Sequence, residues 1–466
     1  MTRVRAVGAS VGAVAILSAG VLAAPGASSS TEPLEVESAT VEGPIPTTPP
    51  SAGGDRSAPE VEGTYPWFST WVDLDGAGFV EEEFYVSGEA DAFDPDTGEV
   101  LAEDVPYRSR IIVRRPASDA HFNGTVLAEW QNVSAGYDLD ALWGYRDILR
   151  DGYAWVGISA QRVGVDHLAD WSPARYGDLD VTGGGTWLND ELSYEVFGQA
   201  AAALVASSGD DPLGDLDVDT VLAIGASQSA SRMVDYYDRV LPQTGSVFDG
   251  YAYVVGPAPE TRRAEPIFHI LSETDVWLGF GGERAPDTDT YRRWEVAGAA
   301  HSGWNGQEYR MPLQERDNPA GVPEYQCAQE PFSRVPLHYV LAAAYDHLAG
   351  WAHGGAAPPA AEPIALDDGG EIVRNDLGIA QGGIRLSQVE VPIALNDGTN
   401  LGPTFCFLFG EHAPFDEATL DRLYRNHGEY VSAVAGVNNR NVEDGYIDRA
   451  DAVVNIREAS SSGIGR

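Results

Sequence analysis

Apolar and polar positions along the chain fall into two alternating patterns. Short apolar runs with strand character occur at Thr125–Trp130 (TVLAEW), Tyr153–Ser159 (YAWVGIS), Thr220–Ile224, Asp249–Val255 (DGYAYVV), Pro266–Leu271 (PIFHIL) and Arg293–Val296. Between and after them lie segments with helical character: Leu139–Arg150, Asp190–Val205, Ser229–Leu241 and His338–His353. Runs that stay apolar from end to end suit strands buried on both faces. With helical crossovers between them, they predict a mainly parallel sheet covered on both sides. Two earlier segments, Gly78–Gly88 and Tyr107–Arg115, read as antiparallel strands that add an edge. Asp94-Pro95-Asp96-Thr97-Gly98 between them is turn chemistry. A calcium loop is the other reading of those aspartates, but the later ligands and the closing glutamate are missing.

The two ends differ from this pattern. Arg3 and Arg5 precede an apolar run, Val11–Ala24, which is too short for a comfortable membrane span and ends in small residues. Residues 1–27 therefore read as a secretory signal peptide, cut after Ala23 or Ala27. Residues 28–62 are rich in Ser, Thr, Pro, Glu and Gly without an apolar period, and read as a disordered linker. The main domain is expected over 63–466. Its last part, 355–466, is less regular: an extension or a cap, with helices at Asp416–Tyr424 and near Tyr430–Val437.

Charge narrows the partners. The chain of 466 residues carries 71 acidic and 29 basic residues, a formal net charge of −42, and it has no lysine. A surface this acidic argues against nucleic acid and anionic membranes, and no integral membrane association is expected once the signal is cut. The expected location is secreted or extracellular. In an exported chain the only two cysteines, Cys327 and Cys406, read as one disulfide. No metal-ligand spacing, phosphate loop or dinucleotide motif appears, so no metal or cofactor is expected.

The sharpest chemical signal is Val221–Met233, VLAIGASQSASRM. A strand runs into Gly225-Ala226-Ser227-Gln228-Ser229, and a helix follows. Serine attacks only if a base takes its proton and the resulting oxyanion is stabilised. A sharp strand–turn–helix elbow lifts the hydroxyl above the sheet and sets a helix N-terminus beside the developing charge. The pattern departs from GxSxG, because Ser229 stands where the second glycine is usual. A weaker match, Gly157-Ile158-Ser159-Ala160-Gln161, follows a strand but lacks an immediate helix. Chain order supports Ser227. An acid, Asp275 by the usual spacing or alternatively Glu273, lies just past the strand Pro266–Leu271, and His301 lies in a small-residue loop past the strand Arg293–Val296. The other histidines lie on helices, inside a strand, or without this strand–loop context. Backbone N–H groups of Gln228 and of Asn132 or Val133 are the expected oxyanion donors. Asn132-Val133-Ser134 also matches a glycosylation sequon, here read as chance in a buried loop.

These residues resemble a family of bacterial alpha/beta hydrolase domain proteins, several of them exported. The likeness lies in GASQSASR, AEWQNVSAG, NDELSYEVFGQAAAAL, SETDV and APDTDTYRRWEVAGAAHSG. It continues into the tail through NDLGIAQGGIRLSQVEVPIA and APFDEATLDRLYRNHGEYV, so it spans about residues 63–460. It implies an α/β-hydrolase fold, with a mainly parallel eight-stranded sheet and helices on both faces. It also implies a triad of Ser227, His301 and an acid from Glu273 or Asp275. It implies no particular substrate. The expected activity is cleavage of a small-molecule carboxylic ester or lactone. An acyltransferase, or a non-catalytic binding protein that keeps the fold, are the other readings.

Overall fold

The computed structural model describes residues 36–47, 64–282, 284–321 and 325–466. The expected signal peptide lies outside them. A ten-stranded sheet organises the rest. Its strands in chain order are β1 (Thr40–Glu42), β2 (Phe79–Phe93), β3 (Val100–Pro116), β4 (Thr125–Trp130), β5 (Ala154–Ile158), β6 (Ser208–Gly209), β7 (Thr220–Ala226), β8 (Gly250–Val254), β9 (Ile267–Ser272) and β10 (Tyr291–Val296). Their spatial order is β10-β9-β8-β7-β4-β5-β3-β2-β1-β6. The run from β10 to β5 is parallel throughout. Every residue of β4, β5, β7, β8 and β9 is buried, as their continuous apolar runs require. β3 and β2 join antiparallel at one edge.

The sheet is longer than the eight strands expected. The extra strands are β1 and β6, each too short to leave a periodic signal. β1 pairs antiparallel with β2 and parallel with β6. It lies inside the stretch read as a linker. Its Val41 is buried, and the backbone N–H of Ala39 donates to Gln199. Residues 36–47 are thus part of the domain, placed by pairing with a distant strand rather than by local pattern. The aspartate-rich turn is a local device: Asp94 Oδ1 accepts from the N–H groups of Asp96 and Thr97 and from the Thr97 hydroxyl.

The helices used below are α1 (Tyr145–Asp151), α2 (Ser193–Ala202), α3 (Gln228–Asp235), α4 (Trp304–Asp317), α5 (Leu337–Ala352), α6 (His427–Glu443) and α7 (Arg449–Ser461). α1 begins six residues later than its apolar pattern suggests. The Glu129 carboxylate accepts the Leu142 N–H, which holds the preceding segment as a loop. α3 gives way at Tyr236–Val240 to a wider π-type turn. α4 and α7 were not foreseen: α4 carries Pro312 in its interior, and neither shows a strong apolar stripe.

The tail belongs to the same fold. Ile384 exchanges backbone hydrogen bonds with Glu295 and Ala297 at the edge of β10. A hairpin of β11 (Ala394–Asp397) and β12 (Glu411–Pro414) follows, then α6 and α7 pack together. Cys327 and Cys406 form the expected disulfide, with Cα atoms 5.3 Å apart. Among the described residues, no helix is long and apolar enough to cross a membrane.

Candidate active site

β7 ends at Ala226 and α3 begins at Gln228, so Ser227 alone makes the turn. It sits at φ 57°, ψ −115°, a conformation that costs a non-glycine residue about 1–3 kcal/mol. Its surroundings hold it there. The Ser227 N–H donates to the Val254 carbonyl (2.9 Å). A Cβ on Gly225 would meet Met233 Sδ at 2.4 Å, and one on Gly256 would meet the Ser227 carbonyl at 2.9 Å. Ser229 fits where glycine is usual because its side chain is satisfied locally. Its Oγ accepts from the Ala226 N–H (3.0 Å) and donates to the Ala226 carbonyl (2.9 Å). The rival Ser159 does precede a helix, Arg162–Trp171, contrary to the sequence pattern, but it is fully buried and hydrogen-bonded to Asp138 and Gln131.

His301 follows β10, and both acids follow β9, but they face different ways. Asp275 is fully buried. Its Oδ1 lies 2.7 Å from His301 Nδ1. Its Oδ2 accepts from the Ser272 N–H (2.9 Å) and the Ser272 hydroxyl (2.5 Å), which is a capping box on the short turn that follows β9. Glu273, equally buried, does not reach the imidazole. It accepts from the N–H groups of Gly298 (2.5 Å) and Gly398 (3.3 Å) and from Arg374 (2.8 Å). Burial raises its pKa to about 7, against the pull of the Arg374 guanidinium. Glu273 therefore braces the histidine loop against the tail. The His301 N–H donates to Thr274 Oγ1 (3.1 Å), and the Ser302 N–H to the Leu408 carbonyl (2.8 Å).

The loop after β4 meets the elbow. The Asn132 side-chain amide donates to the Ala226 carbonyl (2.9 Å), which removes it as a glycan acceptor. Its backbone N–H is taken by the Leu139 carbonyl (3.3 Å). The Val133 N–H points at Gln228 Oε1 (3.3 Å). A chain of amides fixes the orientation of that carboxamide. Asp190 can only accept, so Gln161 turns its NH₂ to it (3.0 Å). Gln161 Oε1 then accepts from Trp130 (3.1 Å) and from the Gln228 NH₂ (3.0 Å), leaving Gln228 Oε1 for Val133. No sequence pattern flags this relay, because its members are scattered over 98 positions.

Ser227, His301 and Asn132 all border one cavity of about 900 Å³. Its walls are largely apolar and come from the loop before α1 (Leu142, Trp143), from α5 (Leu341, Tyr345) and from the tail (Phe405, Phe409). The tail thus helps close the site, and the disulfide pins the segment that does so. At the cavity's rim, Asp151 with Asp346 and Asp448 brings carboxylate oxygens within 4.8 Å of one another, but Arg150 and Tyr153 already bond to them.

A parallel sheet whose strand ends carry a serine on a strained elbow, a histidine and a buried aspartate defines the α/β-hydrolase class. The chain belongs to the alpha/beta hydrolase domain family, which matches residues 41–457. Curated proteins give no match. Solved structures give distant likenesses. A glucuronoyl esterase from Solibacter usitatus is 11% identical over 49% of this chain and 79% of its own, with TM-score 0.25. The rice cell wall degrading esterase LipA from Xanthomonas oryzae is 15% identical over 38% and 42%, with TM-score 0.21. Esterase Est22 is 14% identical over 52% and 60%, with TM-score 0.26. The chain thus spans less than two thirds of the last two. At such TM-scores these likenesses bear no weight here; the family match does.

Proposed function

We propose that this chain is an exported serine hydrolase that cleaves a carboxylic ester or lactone. The observation that carries the reading is the 2.7 Å contact of His301 Nδ1 with Asp275, in a cavity that Ser227 also borders. With Asp275 accepting from Nδ1–H, the neutral imidazole presents Nε2 as the base. Ser227 Oγ attacks the carbonyl carbon and its proton passes to His301. The tetrahedral oxyanion is held by the Gln228 N–H at the start of α3 and by the Val133 N–H, whose long bond to Gln228 Oε1 is easily displaced. His301 then protonates the leaving alkoxide, the alcohol departs, and an acyl-serine remains. Water attacks it with His301 again as base, releasing the acid and regenerating Ser227. Asp275 keeps its hydrogen bond to Nδ1 and stabilises the imidazolium.

The test is a fluorophosphonate probe on the mature protein, located by mass spectrometry, with Ser227→Ala in parallel. Labelling of Ser227 and turnover of p-nitrophenyl esters, both abolished in the variant, are expected. A folded protein that takes no label overturns the reading. Product analysis with an added alcohol separates hydrolysis from acyl transfer, and recovery from culture medium with the native N-terminus checks export.

A further inference from the structure

Buried polar groups in folded proteins nearly always find hydrogen-bond partners, because an unmade bond leaves the loss of water uncompensated. One wall of the cavity breaks that rule. The Trp143 Nε1–H, both ring nitrogens of His338 and the Tyr345 hydroxyl are buried and make no hydrogen bond within the protein. All three residues border the cavity that Ser227 borders. His338 and Tyr345 are seven residues apart on α5, so they share a face about 10 Å long. Trp143 stands just before α1, which packs against α5. Leu142, Leu341 and Ala342 line the same cavity around them, as do Arg146 and Asp147 of α1.

The three groups have a definite chemistry. Burial lowers the His338 pKa to about 3, and Arg146 and Arg150 push the same way, so the ring is neutral, with one donor and one acceptor nitrogen. Burial raises the Tyr345 pKa, so its hydroxyl stays protonated and can both donate and accept. Trp143 only donates. The three groups are neutral donors and acceptors, and the ionisable neighbours Arg146 and Asp147 are of opposite sign, so the wall suits a neutral oxygen function rather than a carboxylate or an ammonium group.

We infer that Trp143, His338 and Tyr345 form a polar subsite that recognises a hydroxyl or oxo group on an otherwise apolar part of the substrate. The esters cleaved at Ser227 are then oxygenated ones. The substrate statement rests on the reading of Ser227 as nucleophile; the subsite itself rests only on the cavity wall.

The experiment compares p-nitrophenyl esters of C6 to C12 alkanoic acids with their ω-hydroxy and ω-oxo counterparts. Acetates of C6 to C12 alkanols and of the matching diols probe the alcohol side. At one chain length the oxygenated ester is expected to exceed the plain one in kcat/KM by at least about tenfold, as for sites that hydrogen-bond a substrate hydroxyl. Tyr345→Phe and His338→Leu are each expected to drive that ratio toward one. The ratio is taken within one preparation, so a partly unfolded variant does not distort it. A ratio near one in the wild type at every length, a preference for ω-carboxy esters, or a ratio unmoved by both variants overturns the subsite. If no ester is turned over and Ser227 takes no label, the nucleophile reading falls. Calorimetric binding of ω-hydroxy acids and diols, against plain acids and alkanols, to Ser227→Ala then decides the subsite independently.

Discussion

Asp275→Asn tests the catalytic geometry most directly, because the capping box dictates which way the new amide must face. In the wild type, Oδ2 accepts from the Ser272 N–H, a group that can only donate. The amide oxygen of Asn must therefore take that side, and its NH₂ must face His301 Nδ1. The reverse orientation sets two buried donors against each other at a cost of about 1–3 kcal/mol. That is a bias of roughly five- to 150-fold toward the orientation with NH₂ on His301. In it, Nδ1 becomes an acceptor, the proton moves to Nε2, and His301 can no longer take the Ser227 proton. Loss of the carboxylate also removes its support for the imidazolium. The expected fall in kcat is on the order of 10⁴, the size known for this exchange in another Ser-His-Asp triad. The assay is steady-state hydrolysis of a p-nitrophenyl ester, with the rate of fluorophosphonate labelling as a second readout. Glu273→Gln is the matched control: its carboxylate lies on Gly298, Gly398 and Arg374, so stability should change far more than kcat. A loss below tenfold in Asp275→Asn, or a larger one in Glu273→Gln, refutes the assignment.

Arg374→Met strips the buried Glu273 of a cation that is itself a quarter exposed and should cost about 1–3 kcal/mol in urea unfolding, with part recovered in the double variant carrying Glu273→Gln. The Cys327–Cys406 bond joins residues 79 apart, so Cys327→Ser should lower stability by about 2–4 kcal/mol and raise KM by loosening the wall at Phe405 and Phe409; an unchanged melting temperature contradicts this. Burial, then the charge of Asp451, raises Asp147 to about 8, and burial raises Glu195 to about 7. Both values exceed the unfolded ones, so between about pH 4 and 8 the folded chain holds protons the unfolded chain releases. Their contribution is complete at the acid end of that window and is lost as pH rises through it. Asp147→Asn should make the fall of stability between pH 5 and 8 shallower by up to about 1.4 kcal/mol per pH unit, read from urea midpoints, and an unchanged slope refutes it. Ser229→Ala, which strips two buried hydrogen bonds from the elbow, should cost about 1 kcal/mol in thermal unfolding, whereas no loss would show that the hydroxyl is dispensable.

What the chain determines locally was legible in it. Strands buried on both faces must be apolar from end to end, so the parallel run from β4 to β10 could be read directly. The elbow needs small residues at fixed offsets, and the three reactive residue types fall after three strands in a definite order. Ser227, His301 and the pair of candidate acids follow from that local chemistry. Tertiary contact decided the rest. Asp275 and Glu273 are two residues apart; spacing after the strand favours Asp275, but what holds Glu273 elsewhere is Arg374, 101 positions beyond it. β1 lacks any period of its own and exists because β2 and β6 offer unpaired edges. His338, on a helix, lacks the strand–loop setting of a triad histidine, yet the fold leaves both its nitrogens buried and unpaired in a residue that borders the cavity. A sequence pattern records which face of an element is apolar. Which polar group meets which across a sheet edge or a cavity depends on distances that only the packed chain sets.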